Sequence, residues 1–174
     1  MKPPRPPRRR HLLQALPLSA ALAFGLGLGL AGPTTAARAA DKPYDESADA
    51  EAALRQALAD AKARQRPLLV IFGANWCTDC RALDQALKTG ANAELMQREF
   101  TVLKIDVGNF DRNLALVQAY GNPIRKGIPA AVLLNARNEL LYATQGGELA
   151  DARHMSETGL HDFFQQVLRQ SRAH

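Results

Sequence analysis

The stretch Leu68-Leu69-Val70-Ile71-Phe72-Gly73-Ala74-Asn75-Trp76-Cys77-Thr78-Asp79-Cys80 decides the fold. Its first five residues form a continuous apolar run closed by Gly73, the composition of a strand buried on both faces of a sheet. Two cysteines three apart follow directly. Ala82, Leu83, Ala86 and Leu87 then recur at helical spacing, with Gly90 as the expected stop. The cysteine pair is therefore expected at a strand-to-helix turn, at the carboxyl end of the strand, where open α/β sheets place ligand sites.

Upstream, Ala50, Leu54, Ala57, Leu58 and Ala61 repeat at helical spacing while Arg55, Asp60, Lys62 and Arg64 face away, and Pro67 ends the segment. Downstream, residues 100–107 read as a second buried strand and 111–120 as a short helix closed by Gly121 and Pro123. Residues 130–134 and 139–144 form a hairpin-like pair around Asn135-Ala136-Arg137-Asn138, and 160–169 a final helix. Strands alternating with helices and then a hairpin imply an α/β fold, a mixed central sheet flanked by helices on both faces.

Residues 1–39 have the grammar of a signal peptide: Arg5, Arg8, Arg9 and Arg10 at the start, an apolar stretch from Leu12 to Ala31, and an A-x-A site at Ala37-Arg38-Ala39. Pro17 and the alternating Gly25, Gly27 and Gly29 argue against a membrane-spanning helix there. Cleavage is expected after Ala39, by either the Sec or the twin-arginine route. Residues 40–49 are polar and read as a flexible lead-in, leaving 50–174 as the folded domain.

The leader holds six of the 22 Lys and Arg and none of the 17 Asp and Glu, so the remainder has a net charge of about −1. The basic character belongs to the leader. That removes the footing for nucleic-acid binding.

Both cysteines of the chain lie in one C-x-x-C. A disulfide framework would scatter its cysteines, and a zinc site needs a second ligand pair that His154, His161 and His174 do not supply, so no metal is assigned. Redox chemistry remains. At the start of a helix, Cys77 meets unpaired N–H groups and the positive end of the dipole, which stabilise its thiolate. Cys77 is the expected nucleophile on a partner disulfide, and Cys80 the group that resolves the mixed disulfide. Two electrons move, and no cofactor is required.

The dipeptide Thr78-Asp79 is expected to tune this pair. A carboxylate beside Cys77 opposes the thiolate and so destabilises the reduced form, which favours a reductant over an oxidase.

These residues resemble the thioredoxin superfamily over about Leu54 to Leu168. Residues 72–80 are similar to its strand-turn-helix motif, Lys104-Ile105-Asp106 to its next strand, and Gly127-Ile128-Pro129 to its cis-proline loop. The resemblance implies a thioredoxin fold with thiol-disulfide oxidoreductase activity. It also implies a cis bond before Pro129, and substrate docking on Ile128 and Pro129 with Trp76 adding surface; an X-Pro bond is the kind for which cis is cheap.

Two features depart from the family. Thioredoxins proper carry a buried Asp six residues before the first cysteine, where this chain has Ile71, so Cys80 must lose its proton by another route, such as water or Asp79. The middle dipeptide is neither the Gly-Pro of thioredoxins proper nor the Pro-His or Gly-His of well-known oxidases and isomerases. With the leader, these departures resemble the exported thioredoxin-like proteins of the bacterial envelope.

The expected function is reduction of protein disulfides in the periplasm by a monomer recharged by an upstream, membrane-embedded electron donor. The alternatives are a disulfide oxidase or isomerase, a carrier using the soft dithiolate for Cu(I), and a non-catalytic adaptor. Arg153, His154 and Met155 fall between the last strand and the last helix, in a loop that in this fold approaches the cysteines; Arg81 could offset Asp79, and Phe163-Phe164 seat the last helix.

Overall fold

The computed structural model describes residues 42–172; the leader expected over 1–39 lies outside the described residues. The elements run α1 (Ala50–Arg64), β1 (Leu68–Gly73), α2 (Thr78–Ala86), α3 (Gly90–Glu99), β2 (Thr101–Asp106), α4 (Leu114–Ala119), β3 (Ala130–Leu134), β4 (Leu140–Ala143) and α5 (Glu157–Ser171). Two 3-10 turns, Pro123–Lys126 and Ala152–His154, precede β3 and α5.

The sheet has strand order β2-β1-β3-β4. β1 pairs in parallel with β2 and antiparallel with β3, and β3 pairs antiparallel with β4. This is the mixed sheet expected. Every residue of β1 is buried, as its unbroken apolar run requires. Alternation then divides the core: Leu68, Val70 and Phe72 pack with α1, Val117 of α4 and the two cysteines. Leu69 and Ile71 pack with Leu83, Leu95, Met96 and the α5 residues Leu160, Phe164 and Val167. Helices therefore cover both faces of the sheet. Of the aromatic pair on α5, Phe164 is fully buried and stacks edge-on against Phe100 and Phe163.

Helix α1 begins at Asp49, whose carboxylate accepts from the Ala52 N–H, and ends at Gln65 in the left-handed region. The structure adds a helix where the sequence indicated a stop. Gly90 opens α3; its φ of +53° lets the chain reverse after α2 and start again. Helix α3 buries only Asn92, Leu95 and Met96, too few large apolar groups to show a periodicity. Asn92 instead donates to the Glu157 carbonyl and so joins α3 to α5.

The segment before α1 is tied to the domain through one aromatic residue. Tyr44 is 2% exposed, and its backbone N–H donates to Asn75 while Asn75 donates back to its carbonyl. An aromatic ring that finds a cavity and two backbone hydrogen bonds is anchored, whatever the polarity of its neighbours.

Candidate active site

Gly73 ends β1, and the chain turns through Ala74, Asn75 and Trp76 into α2. Cys77 is the N-cap of α2: its Sγ accepts the Cys80 N–H at 3.1 Å. The two cysteines form a disulfide, with Cα atoms 5.2 Å apart. Their environments differ, since Cys77 retains a sliver of exposure and Cys80 none. Sulfur at a helix N-cap faces unpaired N–H groups and the positive end of the peptide dipoles, the setting that stabilises a thiolate.

The loop before β3 closes over this sulfur. The Ile128–Pro129 bond is cis, both residues are buried, and the Ile128 carbonyl oxygen lies 3.5 Å from Cys77 Sγ. Residues 51 positions apart in sequence thus meet at the disulfide.

Trp76 stands outside, 54% exposed, with its indole N–H donating to the Gly108 carbonyl at 2.9 Å. Its ring is 6.2 Å from that of Phe110, which with Leu114 is also exposed. Phe110 and Leu114 line a groove that runs to Gly127, next to Ile128. An apolar strip therefore extends from the disulfide toward α4, a setting in which large exposed groups mark an interaction surface. The loop under Trp76 is shaped by Asp106, which is nearly buried, accepts from the Gly108 N–H and pairs with Arg112.

Thr78 is exposed, whereas Asp79 is only 8% exposed and pairs with Arg153. One carboxylate oxygen accepts the Arg153 backbone N–H and the other its guanidinium, both at 3.0 Å. The carboxylate expected to oppose the Cys77 thiolate is thus paired, and a guanidinium at contact distance offsets its field. The Arg81 guanidinium donates to the Asn75 carbonyl. His154 is exposed and bonded to Asp151.

Among the described residues, no group of three or more His, Cys, Asp or Glu is arranged to hold a metal. Nor is any helix there long and apolar enough to cross a membrane.

Residues 49–136 match the thioredoxin-like family. The chain belongs to that family. Among solved structures, the thioredoxin-like chain is similar to the disulphide isomerase from Xylella fastidiosa Temecula1. The two are 55% identical with a TM-score of 0.72, over 74% of this chain and 98% of the other. It shares its fold with the C-terminal domain of Neisseria meningitidis DsbD in the oxidised form, at 20% identity and a TM-score of 0.50, over 69% of this chain and 97% of that one. No curated protein sequence matches it. Family, fold and the C-x-x-C at disulfide distance make this thioredoxin-like protein a thiol-disulfide oxidoreductase.

Two contributors to the site, and the pairing of a third, escaped the sequence. Tyr44 lay in a polar segment, where only the isolated aromatic ring was a signal. Arg153 lies 74 positions from Asp79, and nothing local links the two. Phe110 carried no periodicity, since it sits in a loop with φ of +64°.

Proposed function

We propose that this thioredoxin-like protein works from its dithiol form on disulfides of exported proteins in the bacterial envelope. Cys77 thiolate attacks a substrate disulfide, forming one S–S bond and releasing one substrate thiolate. Cys80 thiolate then attacks the Cys77 sulfur, closing the internal disulfide and releasing the second substrate thiolate. The substrate gains two electrons, which an upstream donor in the membrane returns to the protein. The observation that carries this reading is the asymmetry of the pair: Cys77 lies at the helix N-cap against the Ile128 carbonyl, and Cys80 is sealed behind it. Ile128, Pro129 and Trp76 form the docking surface, and the leader over 1–39 supports a periplasmic site of action for a monomer. The test is turnover of insulin disulfides by reduced protein supplied with a dithiol; failure to reduce them removes the proposal.

A second reading, disulfide isomerase, is favoured by the name of the Xylella relative at 55% identity. It shares the first attack and differs in the fate of the electrons. An isomerase restores a scrambled protein with catalytic amounts of dithiol; a reductase consumes one dithiol for each bond opened.

The direction is set partly by the Asp79–Arg153 pair. Arg153→Ala leaves the carboxylate uncompensated near Cys77, raises the thiol pKa and destabilises the reduced form, so the potential becomes more negative. Asp79→Ala does the reverse. Each unit of pKa corresponds to about 30 mV for a two-electron couple. Equilibration with glutathione reads both shifts, and two variants moving in the same direction would remove the pair from this role.

Trp76→Ala is expected to raise KM for a protein disulfide by roughly 5- to 30-fold, as loss of an exposed aromatic anchor does. The alkylation rate of Cys77 should stay within twofold of wild type, roughly, because the indole's hydrogen bond goes to Gly108 and not to sulfur. An unchanged KM would place substrate elsewhere.

A further inference from the structure

Gly73 is the last residue of β1, in register with Asp106 of β2. A β-carbon there would lie 2.5 Å from Cζ of the Tyr44 phenol and 2.9 Å from Cys80 Sγ, with the phenol oxygen closer still. The phenol and the Cys80 sulfur therefore both press against the same side of Gly73, an approach that only a residue without a side chain permits. Tyr44 is built into that place. Its backbone is clamped by Asn75, two residues before Cys77, and Asn75 also holds the Glu46 carboxylate at 2.8 Å. Arg112 donates to the Glu46 carbonyl and pairs with Asp106, which ties the same segment to the end of β2.

We propose that Tyr44 is a positioning residue for Cys80: its phenolic O–H donates to the Cys80 thiolate that resolves the mixed disulfide, at the step for which Ile71 offers no ionisable partner. The inference rests on the reading of Cys80 as the resolving thiol. Burial, and then the Asp106 carboxylate, push the Tyr44 pKa well above its ordinary value. The phenol stays protonated and acts only as a donor. The Cys80 proton leaves to water, and the released substrate thiolate takes one from water. The charged and titratable groups around the phenol are Asp106 with its partner Arg112, Glu46 held by Asn75, and the two cysteines. Asp79, on α2, is occupied by Arg153.

Donation to a thiolate lowers its pKa and also its nucleophilicity, with a Brønsted coefficient of about 0.5. Losing a donor that shifts Cys80 by about one unit therefore costs roughly threefold in rate below the thiol pKa and raises the rate by roughly threefold above it. Two pH profiles that cross are the signature. Reaction of reduced protein with the aromatic disulfide 5,5′-dithiobis(2-nitrobenzoate) releases one thiolate on Cys77 attack and a second on Cys80 resolution, so the steps are read separately.

In Tyr44→Phe the first phase should match wild type at every pH, and the second should be slower near neutrality, shifted alkaline by about one unit, and faster at high pH. Unchanged second phases, or equal slowing of both phases at every pH, overturn the proposal. A wild-type protein with no first phase instead overturns the reading of Cys77 on which the proposal rests. Should Tyr44→Phe fail to fold, titration of Cys80 by its 13Cβ shift in reduced wild-type protein decides. Ionisation at or below the free-thiol value of about 8.5 is expected, and a value well above it, as apolar burial without a donor gives, overturns the proposal.

Discussion

Cys77→Ser is expected to drop turnover of a protein disulfide to the uncatalysed background, a loss of at least about a thousandfold. Serine keeps the volume and can accept the Cys80 N–H as an N-cap, so the fold should persist. What it lacks is a nucleophile ionised near neutral pH and an atom able to form a disulfide. Cys80→Ser should behave differently. Its Cys77 still attacks, but no thiolate lies behind it to expel the substrate, so a mixed disulfide accumulates and appears as a mass increment removed by dithiol. Insulin reduction by Cys77→Ser at a rate near wild type, or a Cys80→Ser protein that traps nothing, would reject the division of labour between the two sulfurs.

Phe72→Ala should cost about 3–5 kcal/mol of stability, a large part of the roughly 5–15 kcal/mol available to a domain. The ring is fully buried on the β1 face that packs with α1 and the cysteines, its centroid 6.5 Å from that of Tyr120. Phe72 is also central to the sheet, opposite Ile105 on one side and Ala130 on the other. Alanine at the edge of such a site could be absorbed by collapse, but here both flanking strands are held by ladder hydrogen bonds, so a cavity should remain. Urea unfolding midpoints measure the loss; a change under about 1 kcal/mol would mean that the core repacks around the gap.

The parts of this molecule legible in its sequence are those governed by local pattern. Residues 68–72 announced a buried strand because an unbroken apolar run of that length has few other uses, and the helix after Cys77 followed from the spacing of Leu83 and Leu87. The cysteine pair was legible for the same reason: C-x-x-C at a strand end is a local arrangement. Helix α3 was not, because its contact with α5 runs through the amide of Asn92 as well as apolar side chains. The partner of Asp79 was hidden by distance along the chain, and with it the balance of charge at α2. A carboxylate's effect on a thiolate depends on what else it touches, and only the fold places Arg153 there.

Trp76 also makes the state of the disulfide visible. It is the one tryptophan of the chain, it precedes Cys77, and its ring is half in water against Phe110. The molecule thus carries its single indole at its reactive end. A neighbouring disulfide quenches indole emission, so opening the bond should brighten the protein, and a docked partner that covers the ring should shift the emission to the blue. Electron transfer and partner binding can then be followed in real time on unlabelled protein, through one native indole.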